Sequence, residues 1–273
     1  MTSSYSTTPK MKTSGPAPNL LRAQGAAFKL AREYGFAHPR DIRLEDIAMD
    51  RSVLVVVGGV TGCEARLVRK GKKGIIRVSS NIPEVGRQRF AIAHDLGHWE
   101  LHDSSQWFVC SASDLRDYDR SPLEIEANTF ASELLMPSHL IRPRCQKAAP
   151  SLQLLRELAE DFTVSLTAAG IRFIRECRHE CVLVASQNRQ IRWWVRGTDR
   201  YGVYFQSQQA ISRQSLAWYA YENESMPDEM EQVPTEAWFP DLPNNVEFDV
   251  FEQSMKVGNY NAALTLLCIG DPS

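Results

Sequence analysis

Residues 89–102 read RFAIAHDLGHWELH and contain the most informative motif of the chain. His94 and His98 stand four residues apart in an apolar run that predicts a helix. On an α-helix this spacing places both imidazoles on one face, about one turn apart. Two neutral imidazoles held in this way provide two of the protein ligands of a tetrahedral zinc site. Asp95 follows the first histidine, where a zinc protease has its general base, which is usually a glutamate.

A second metal-binding element follows in residues 122–137, PLEIEANTFASELLMP. Pro122 suits the start of a helix, and Pro137 enforces its end. Glu124 and Asn128 are four residues apart, so they share one face of this helix. We therefore expect Glu124 to be the third protein ligand and Asn128 to hydrogen-bond one of the ligating histidines.

Two further residues compete for parts of this site. Glu126 is an alternative to Glu124 as the third ligand, although it lies two residues further on and faces elsewhere. His102 continues the four-residue series, but it stands two turns from His94. We favour for His102 a role in packing or in supporting a ligand. The small Ala127 would let the second helix lie close against the histidine helix.

These two motifs, in this order, resemble those of the ImmA/IrrE-type zinc metallopeptidases, and the resemblance extends over roughly residues 20–172. It implies a zincin-like α+β core in which His94, His98 and Glu124 bind one zinc ion per chain. It also puts Asp95 at the family's position for the general base. The family implies a cytoplasmic endopeptidase that cleaves a helix-turn-helix transcriptional repressor and so switches genes on under stress or mobile-element induction.

An aspartate at position 95, in place of the usual glutamate, leaves three possibilities for the activity of the chain. Shortening glutamate to aspartate withdraws the carboxylate by roughly 1.5 Å, and a misplacement of about 1 Å can lower a rate on the order of a hundredfold. The chain is therefore a normal enzyme with a slightly shifted helix, a slow enzyme, or an inactive metal-binding module that docks onto a repressor or toxin partner. We favour an active or slow zinc enzyme, although manganese or iron could occupy such a site in purified protein.

The composition is that of an ordinary globular protein with one large or two small domains: 273 residues, 43% hydrophobic and 23% charged. No apolar run approaches the roughly 20 residues of a membrane helix, and the amino terminus does not resemble a secretory signal. We therefore predict no membrane association and a cytoplasmic location. The six cysteines do not form a disulfide framework. Cys177 and Cys181 form either a second metal cluster or, as we favour, reduced structural thiols.

The chain divides into four predicted segments: a disordered tail at 1–18, a zincin-like metallopeptidase core at 19–150, a helix-turn-helix-like segment at 151–179 and a mainly-β C-terminal domain at 180–273. Helices are predicted at 20–34, 151–160 and 165–176. Strands are predicted at 52–57, 64–68, 75–78, 181–185, 191–195 and 201–205, while 262–269 is a strand or a helix. The strand at 75–79 is our candidate for an edge strand that binds substrate beside the zinc helix, and an ordinary edge strand is an equal alternative. The sequence contains no internal repeat, glycine-rich phosphate loop or nucleophilic serine or cysteine arrangement.

Two features bear on partners. The helix pair at 151–176 carries Arg172 and Arg175, which could contact DNA phosphates, but we favour packing against the core and regard direct DNA binding as the weaker alternative. Residues 214–255 contain ten acidic residues and no lysine or arginine. This segment forms a solvated surface or attracts a basic partner, such as a DNA-binding repressor. Its charge argues against contact with DNA.

Overall fold

The structure, a computed structural model, describes residues 17–60, 64–102, 121–198, 200, 202, 204–206, 208–222, 225–242, 246–258 and 261–270. Most of the predicted tail, residues 1–16, lies outside this part of the chain. Helices and two β-sheets alternate in the described residues, which confirms the predicted α+β fold class. No helix in these ranges is both long enough and apolar enough to cross a membrane.

The described helices are α1 (Leu20–Glu33), α2 (Leu44–Asp50), α3 (Val85–Leu101), α4 (Pro122–Leu135), α5 (Ser138–Lys147), α6 (Leu152–Phe162), α7 (Leu166–Glu176) and α8 (Leu216–Tyr221). The strands are β1 (Val53–Gly58), β2 (Ala65–Lys70), β3 (Lys73–Ser79), β4 (Glu180–Gln187), β5 (Gln190–Arg196), β6 (Glu231–Val233), β7 (Val250–Lys256) and β8 (Ala262–Ile269). Most predicted helices and strands are found close to their predicted bounds, and residues 262–269 form a strand. The strand predicted at 201–205 is wrong for its described residues 202, 204 and 205, which are not in a strand.

The first sheet has the order β1-β3-β2, in which β3 pairs with β1 in parallel and with β2 antiparallel. Its inner face buries Leu67, Ile76 and Val78, and α3 packs on β2 and β3. The prediction of an edge strand at 75–79 is wrong, because β3 is the central strand. The β2–β3 hairpin is visible in the sequence, whereas the parallel pairing with β1 gives no local signal.

A close crossing of α3 and α4 positions the two sequence motifs. A Cβ atom added at Gly97 would lie 3.1 Å from both the Cα atom and the carbonyl oxygen of Ala127. A Cβ atom here would force the backbone to shift by a few tenths of an ångström, so the crossing favours glycine at this point. The predicted close packing at the small Ala127 is therefore found, and it holds the two helices near enough for their side chains to meet.

The helix pair α6–α7 is joined by Thr163, which ends α6 in the left-handed conformation with a φ of 51°. Both helices bury an apolar face, and α7 also buries Arg172, which is 4% exposed. The Arg172 guanidinium donates to Glu133 Oε2 at 2.6 Å and to Ser138 Oγ at 2.7 Å. Arg172 is thus committed to an internal ion pair and does not reach the surface as a phosphate contact.

The second sheet is antiparallel with the order β5-β4-β8-β7-β6. One of its faces contributes Leu183 and Leu266 to the hydrophobic cluster that also contains the apolar residues of α1, α3, α4, α6 and α7, which we call the main core. The other face contributes Val182 and Leu267 to a second core under α8. The sheet is therefore buried on both sides. The predicted domain boundaries at 150 and 179 stay predictions.

Glu252 belongs to the second core and not to the acidic surface in which the sequence placed it. Its carboxylate accepts hydrogen bonds from Trp238 Nε1 at 2.7 Å, from the Ala217 backbone N–H at 2.6 Å and from Ser254 Oγ at 2.7 Å. Burial raises the pKa of Glu252, against the effect of these donors. The other described acidic residues of the segment are exposed: Glu222, Asp228, Glu229, Glu231, Glu236, Asp241, Glu247 and Asp249. Glu224 lies outside the described residues.

Candidate metal centre

The three predicted ligands meet where α3 crosses α4. His94 Nε2 and His98 Nε2 are 3.0 Å apart. Glu124 approaches from α4, with Oε2 3.1 Å from His94 Nε2 and Oε1 3.3 Å from His98 Nε2. Among the described residues, these three form the only group of histidine, cysteine and acidic side chains arranged closely enough to hold a metal ion.

The spacing of the three side chains fits a tetrahedral ion. Ligand atoms bound to zinc at 2.0–2.1 Å with tetrahedral angles lie about 3.3 Å from one another. The observed separations of 3.0, 3.1 and 3.3 Å match that value. Oε2 of Glu124 is buried, and within the described part of the chain no donor is well aligned with it. A buried carboxylate oxygen in that position is readily explained by a cation.

Local sequence explains why Glu124 faces the histidines. Ser121 caps α4, and its side chain accepts a hydrogen bond from the Glu124 backbone N–H at 3.3 Å. Pro122 occupies the first helical turn, where its missing N–H has no cost. Glu124 also lies in that turn, where the partial positive charge of the helix terminus favours a carboxylate.

His94 is oriented by an amide. Its Nδ1 atom lies 2.8 Å from Asn128 Oδ1. Because an amide oxygen only accepts hydrogen bonds, Nδ1 carries the proton, and a neutral His94 then presents the lone pair of Nε2 to the site. Asn128 therefore lies where the sequence predicted it.

His98 is approached from behind by a second histidine. His98 Nδ1 and His102 Nδ1 are 2.9 Å apart, and His102 Nε2 lies 3.2 Å from Glu126 Oε2. Glu126, the alternative third ligand, does not join the ligand group and instead contacts His102. The sequence contained one sign of this arrangement, since His102 continues the helical spacing of the two ligands.

Asp95 is fully buried beside the ligands. Its negative charge is among the causes that raise the pKa of His94. The structure thus brings together all the residues that the sequence selected: His94, Asp95, His98, His102, Glu124 and Asn128.

Burial and charge set the protonation of the triad. Burial raises the pKa of Glu124, but its contacts with His94 and His98 outweigh this effect, and the pKa falls well below its usual range. Burial lowers the pKa of His98 to about 4. Burial also lowers the pKa of His94, but Glu124 and Asp95 raise it above its ordinary value. The carboxylate and the neutral His98 are in metal-binding form, and His94 would bind a cation once its Nε2 atom has lost its proton.

Comparison with known proteins bears on the fold and on the family resemblance. A Mycobacterium tuberculosis transcriptional regulator of known structure resembles this chain with a TM-score of 0.53 at 17% sequence identity, covering 91% of this chain and 88% of the regulator. At this identity the likeness concerns the fold alone. No curated protein gives a significant match. The model of the IrrE N-terminal-like domain, Peptidase_M78, matches residues 61–173, which include both helices of the triad. Residues 61–173 thus match the model of the IrrE N-terminal-like family, which confirms the resemblance inferred from the two motifs.

Proposed function

We propose that the protein is a zinc-dependent endopeptidase. The observation that carries the proposal is the tetrahedral spacing of His94, His98 and Glu124 with the buried carboxylate of Asp95 beside them. A zinc ion held by these ligands would supply a Lewis acid for a water molecule and for the scissile carbonyl. Asp95 accepts the proton of the attacking water and returns it to the leaving amine.

The substrate class follows from the family resemblance and from charge. We propose that the substrate is a DNA-binding repressor of the helix-turn-helix type, whose basic surface is attracted by the exposed acidic residues between Glu222 and Asp249. We also propose a cytoplasmic location. The free thiols of the described cysteines agree with the reducing conditions of that compartment.

An extended segment of the substrate pairs with β2, which is an edge strand within the described residues. Arg69 on this strand donates to the carbonyl oxygens of Trp99 and His102 at the end of α3, so β2 runs beside the histidine helix. Strand addition uses backbone groups at every second substrate residue. Backbone N-methylation of a cleaved peptide should therefore block cleavage at alternate positions, and equal tolerance at every position would contradict pairing along β2.

The experiment that tests the activity is a survey of new protein N-termini in matched cells that express wild type, Asp95→Ala or Asp95→Glu. A cut made by wild type and missing with Asp95→Ala supports the proposal and identifies the substrate. Equal cleavage by wild type and Asp95→Ala would exclude the assigned role of Asp95. The signal from Asp95→Glu measures the effect of the shorter side chain.

One observation favours a second function, a metal-binding regulatory module that docks onto a repressor or toxin partner. Asp95 replaces the usual glutamate, and its carboxylate is about 1.5 Å shorter in reach. If Asp95→Glu cleaves a target that wild type leaves intact, the chain is such a module. Binding of that target by wild type, unchanged in Asp95→Ala, would support the same conclusion.

A further inference from the structure

We propose that Glu126 and His102 are positioning residues for His98, and that through Glu126 the first turn of α1 becomes part of the metal centre. The inference rests on the proposed function, because it concerns the same ligand group. It assigns a role to two buried polar residues that neither bind the metal nor take part in the proposed proton transfer.

The direction of the hydrogen bonds follows from the carboxylate. Glu126 Oε2 can only accept, so His102 Nε2, at 3.2 Å, carries a proton. A neutral His102 then offers the lone pair of Nδ1 to His98 Nδ1, at 2.9 Å. His98 Nδ1 is the donor in that contact, and its Nε2 lone pair faces Glu124 and His94. The relay therefore selects the tautomer of His98 that can bind a metal ion.

The backbone around His102 is held from two sides. His102 ends α3 in an extended conformation, with a φ of −119° and a ψ of 147°. Arg69 donates to the carbonyl oxygens of Trp99 at 3.2 Å and His102 at 3.1 Å, and its guanidinium lies 4.0 Å from the centre of the Trp99 ring. Arg22 donates to the carbonyl oxygen of Leu101. Two cations at the carboxyl end of α3 suit the helix dipole and fix the position of His102.

Glu126 is held by α1. Its Oε1 atom accepts the Asn19 backbone N–H at 2.7 Å, and its Oε2 atom lies 3.8 Å from Arg22 Nη1. Glu126 is 6% exposed, and burying a carboxylate is unfavourable unless donors surround it. Asn19 and His102 provide these donors, and Arg22 adds a positive charge nearby. The side chains of Glu126, His102 and His98 therefore connect the start of α1 to the metal position.

The two ligating histidines are supported differently. His94 contacts the neutral amide of Asn128, whereas His98 contacts an imidazole that is backed by a carboxylate. A charged acceptor makes the stronger hydrogen bond. We therefore expect the relay to increase the basicity of His98 and to contribute to zinc affinity in a way that a packing residue would not.

The test replaces Glu126 with glutamine, which keeps its size. A glutamine carbonyl can accept from only one side, and its NH₂ group must then face Asn19 N–H or His102 Nε2–H. The matched control is Glu100→Gln on α3, which removes the same charge from an ion pair with Arg51. Purified full-length chains are compared by zinc titration against a competing chelator and by the nitrogen and proton NMR signals of the histidine rings in the zinc-loaded form.

We expect Glu126→Gln to bind zinc 10–100-fold more weakly than wild type, in line with the usual effect of losing a partner behind a metal ligand. The exchange-protected Nδ1–H signal of His98 should move upfield or disappear, while Glu100→Gln keeps both properties. Zinc affinity within twofold of wild type, or an unchanged His98 signal, would overturn the inference. A wild-type chain that binds no zinc would overturn the proposed function as well, so the two failures are distinguishable.

Discussion

The ligand triad shows what single residues reveal in a sequence. The i,i+4 spacing of His94 and His98 fixes their relative position, because helix geometry leaves little choice, and the same holds for Glu124 and Asn128. The role of Glu126 could not be predicted in this way. Its partner Asn19 is 107 residues distant in the chain, and only the packing of α1 against α4 brings the two together.

Glu124→Gln should remove the stabilisation of the protein by zinc. A ligand that binds only the folded state raises the free energy of unfolding by about 2.7 kcal/mol at a concentration one hundred times its Kd. We expect zinc to raise the Tm of wild type and of the exposed control Glu157→Gln, and a chelator to reverse the effect. A full zinc-induced rise in the Tm of Glu124→Gln would contradict ligation by this carboxylate.

The cysteine thiols should differ in reactivity. A hydrogen bond with Cys181 lowers the pKa of the half-buried Cys177, and backbone N–H groups assist. Burial raises the pKa of Cys145 to about 12, and the buried Cys181 and Cys268 have their sulfur atoms 3.7 Å apart. Of these four, we expect Cys177 to be alkylated first by iodoacetamide in the native protein, as measured by peptide mass spectrometry. Earlier modification of Cys145 would show that the assigned environments are wrong.

At the scale of helices and strands, the sequence predicts well where side-chain periodicity and capping act locally. Ser151, Ser165 and the proline-bounded α4 define helices that the structure reproduces. The sequence fails where pairing is nonlocal. The central place of β3 depends on its parallel contact with β1, and periodicity does not determine which strands become neighbours.

Gly97→Ala should weaken both the fold and the metal site. The added Cβ would contact the Ala127 backbone at 3.1 Å, and overpacking of this kind costs about 1–3 kcal/mol in the free energy of unfolding. Because the strain separates α3 from α4, zinc affinity should fall too. The control is Gly25→Ala on α1, where the new Cβ meets no atom within 4 Å and should stabilise by about 0.5–1 kcal/mol. Urea unfolding and zinc titration measure both effects. Equal stability of the two variants would refute the proposed constraint.

Arg172→Ala should destabilise the helix pair α6–α7, and the loss of stability should be the same with and without DNA. Removing one partner of a buried ion pair costs about 3–5 kcal/mol in the free energy of unfolding, and Glu133 would lose its guanidinium donor. The exposed neighbour Arg175 serves as the control, and Arg175→Ala should change stability by less than about 0.5 kcal/mol. Urea unfolding checks the difference. Similar stability of the two variants would place Arg172 outside the core.

For the whole molecule, the second sheet is the decisive feature. Leu183 and Leu266 extend the main core into the C-terminal half, and Val182 and Leu267 face the second core. The sequence predicted strands here, and the apolar runs 181–185 and 262–269 suit a sheet that is covered on both faces. It could not reveal which elements cover each face, because those contacts are nonlocal. Glu252 was assigned to the acidic surface because composition alone does not show which carboxylates are buried.

The shared core predicts that the described part of the chain unfolds as one cooperative unit. Backbone amides of Phe173 on α7 and Leu266 on β8 should therefore open with equal free energies in native-state hydrogen exchange. Both belong to the main core. If the amide of Leu266 opened at a much lower free energy, the C-terminal sheet would be an independently folding domain.

The contact between Gly97 and Ala127 shows that selection for the fold and selection for metal binding act on different residues of α3 and α4. The crossing of α3 and α4 depends on the size of these residues, whereas metal binding depends on the donor atoms that the same helices carry. A descendant of this protein could exchange His94, His98 and Glu124 for non-ligating residues and still fold, provided that both small residues persisted. Mutations could thus remove metal binding while the helix packing is kept. A chain with this helix crossing but without the ligands would be a relative that has lost its metal site.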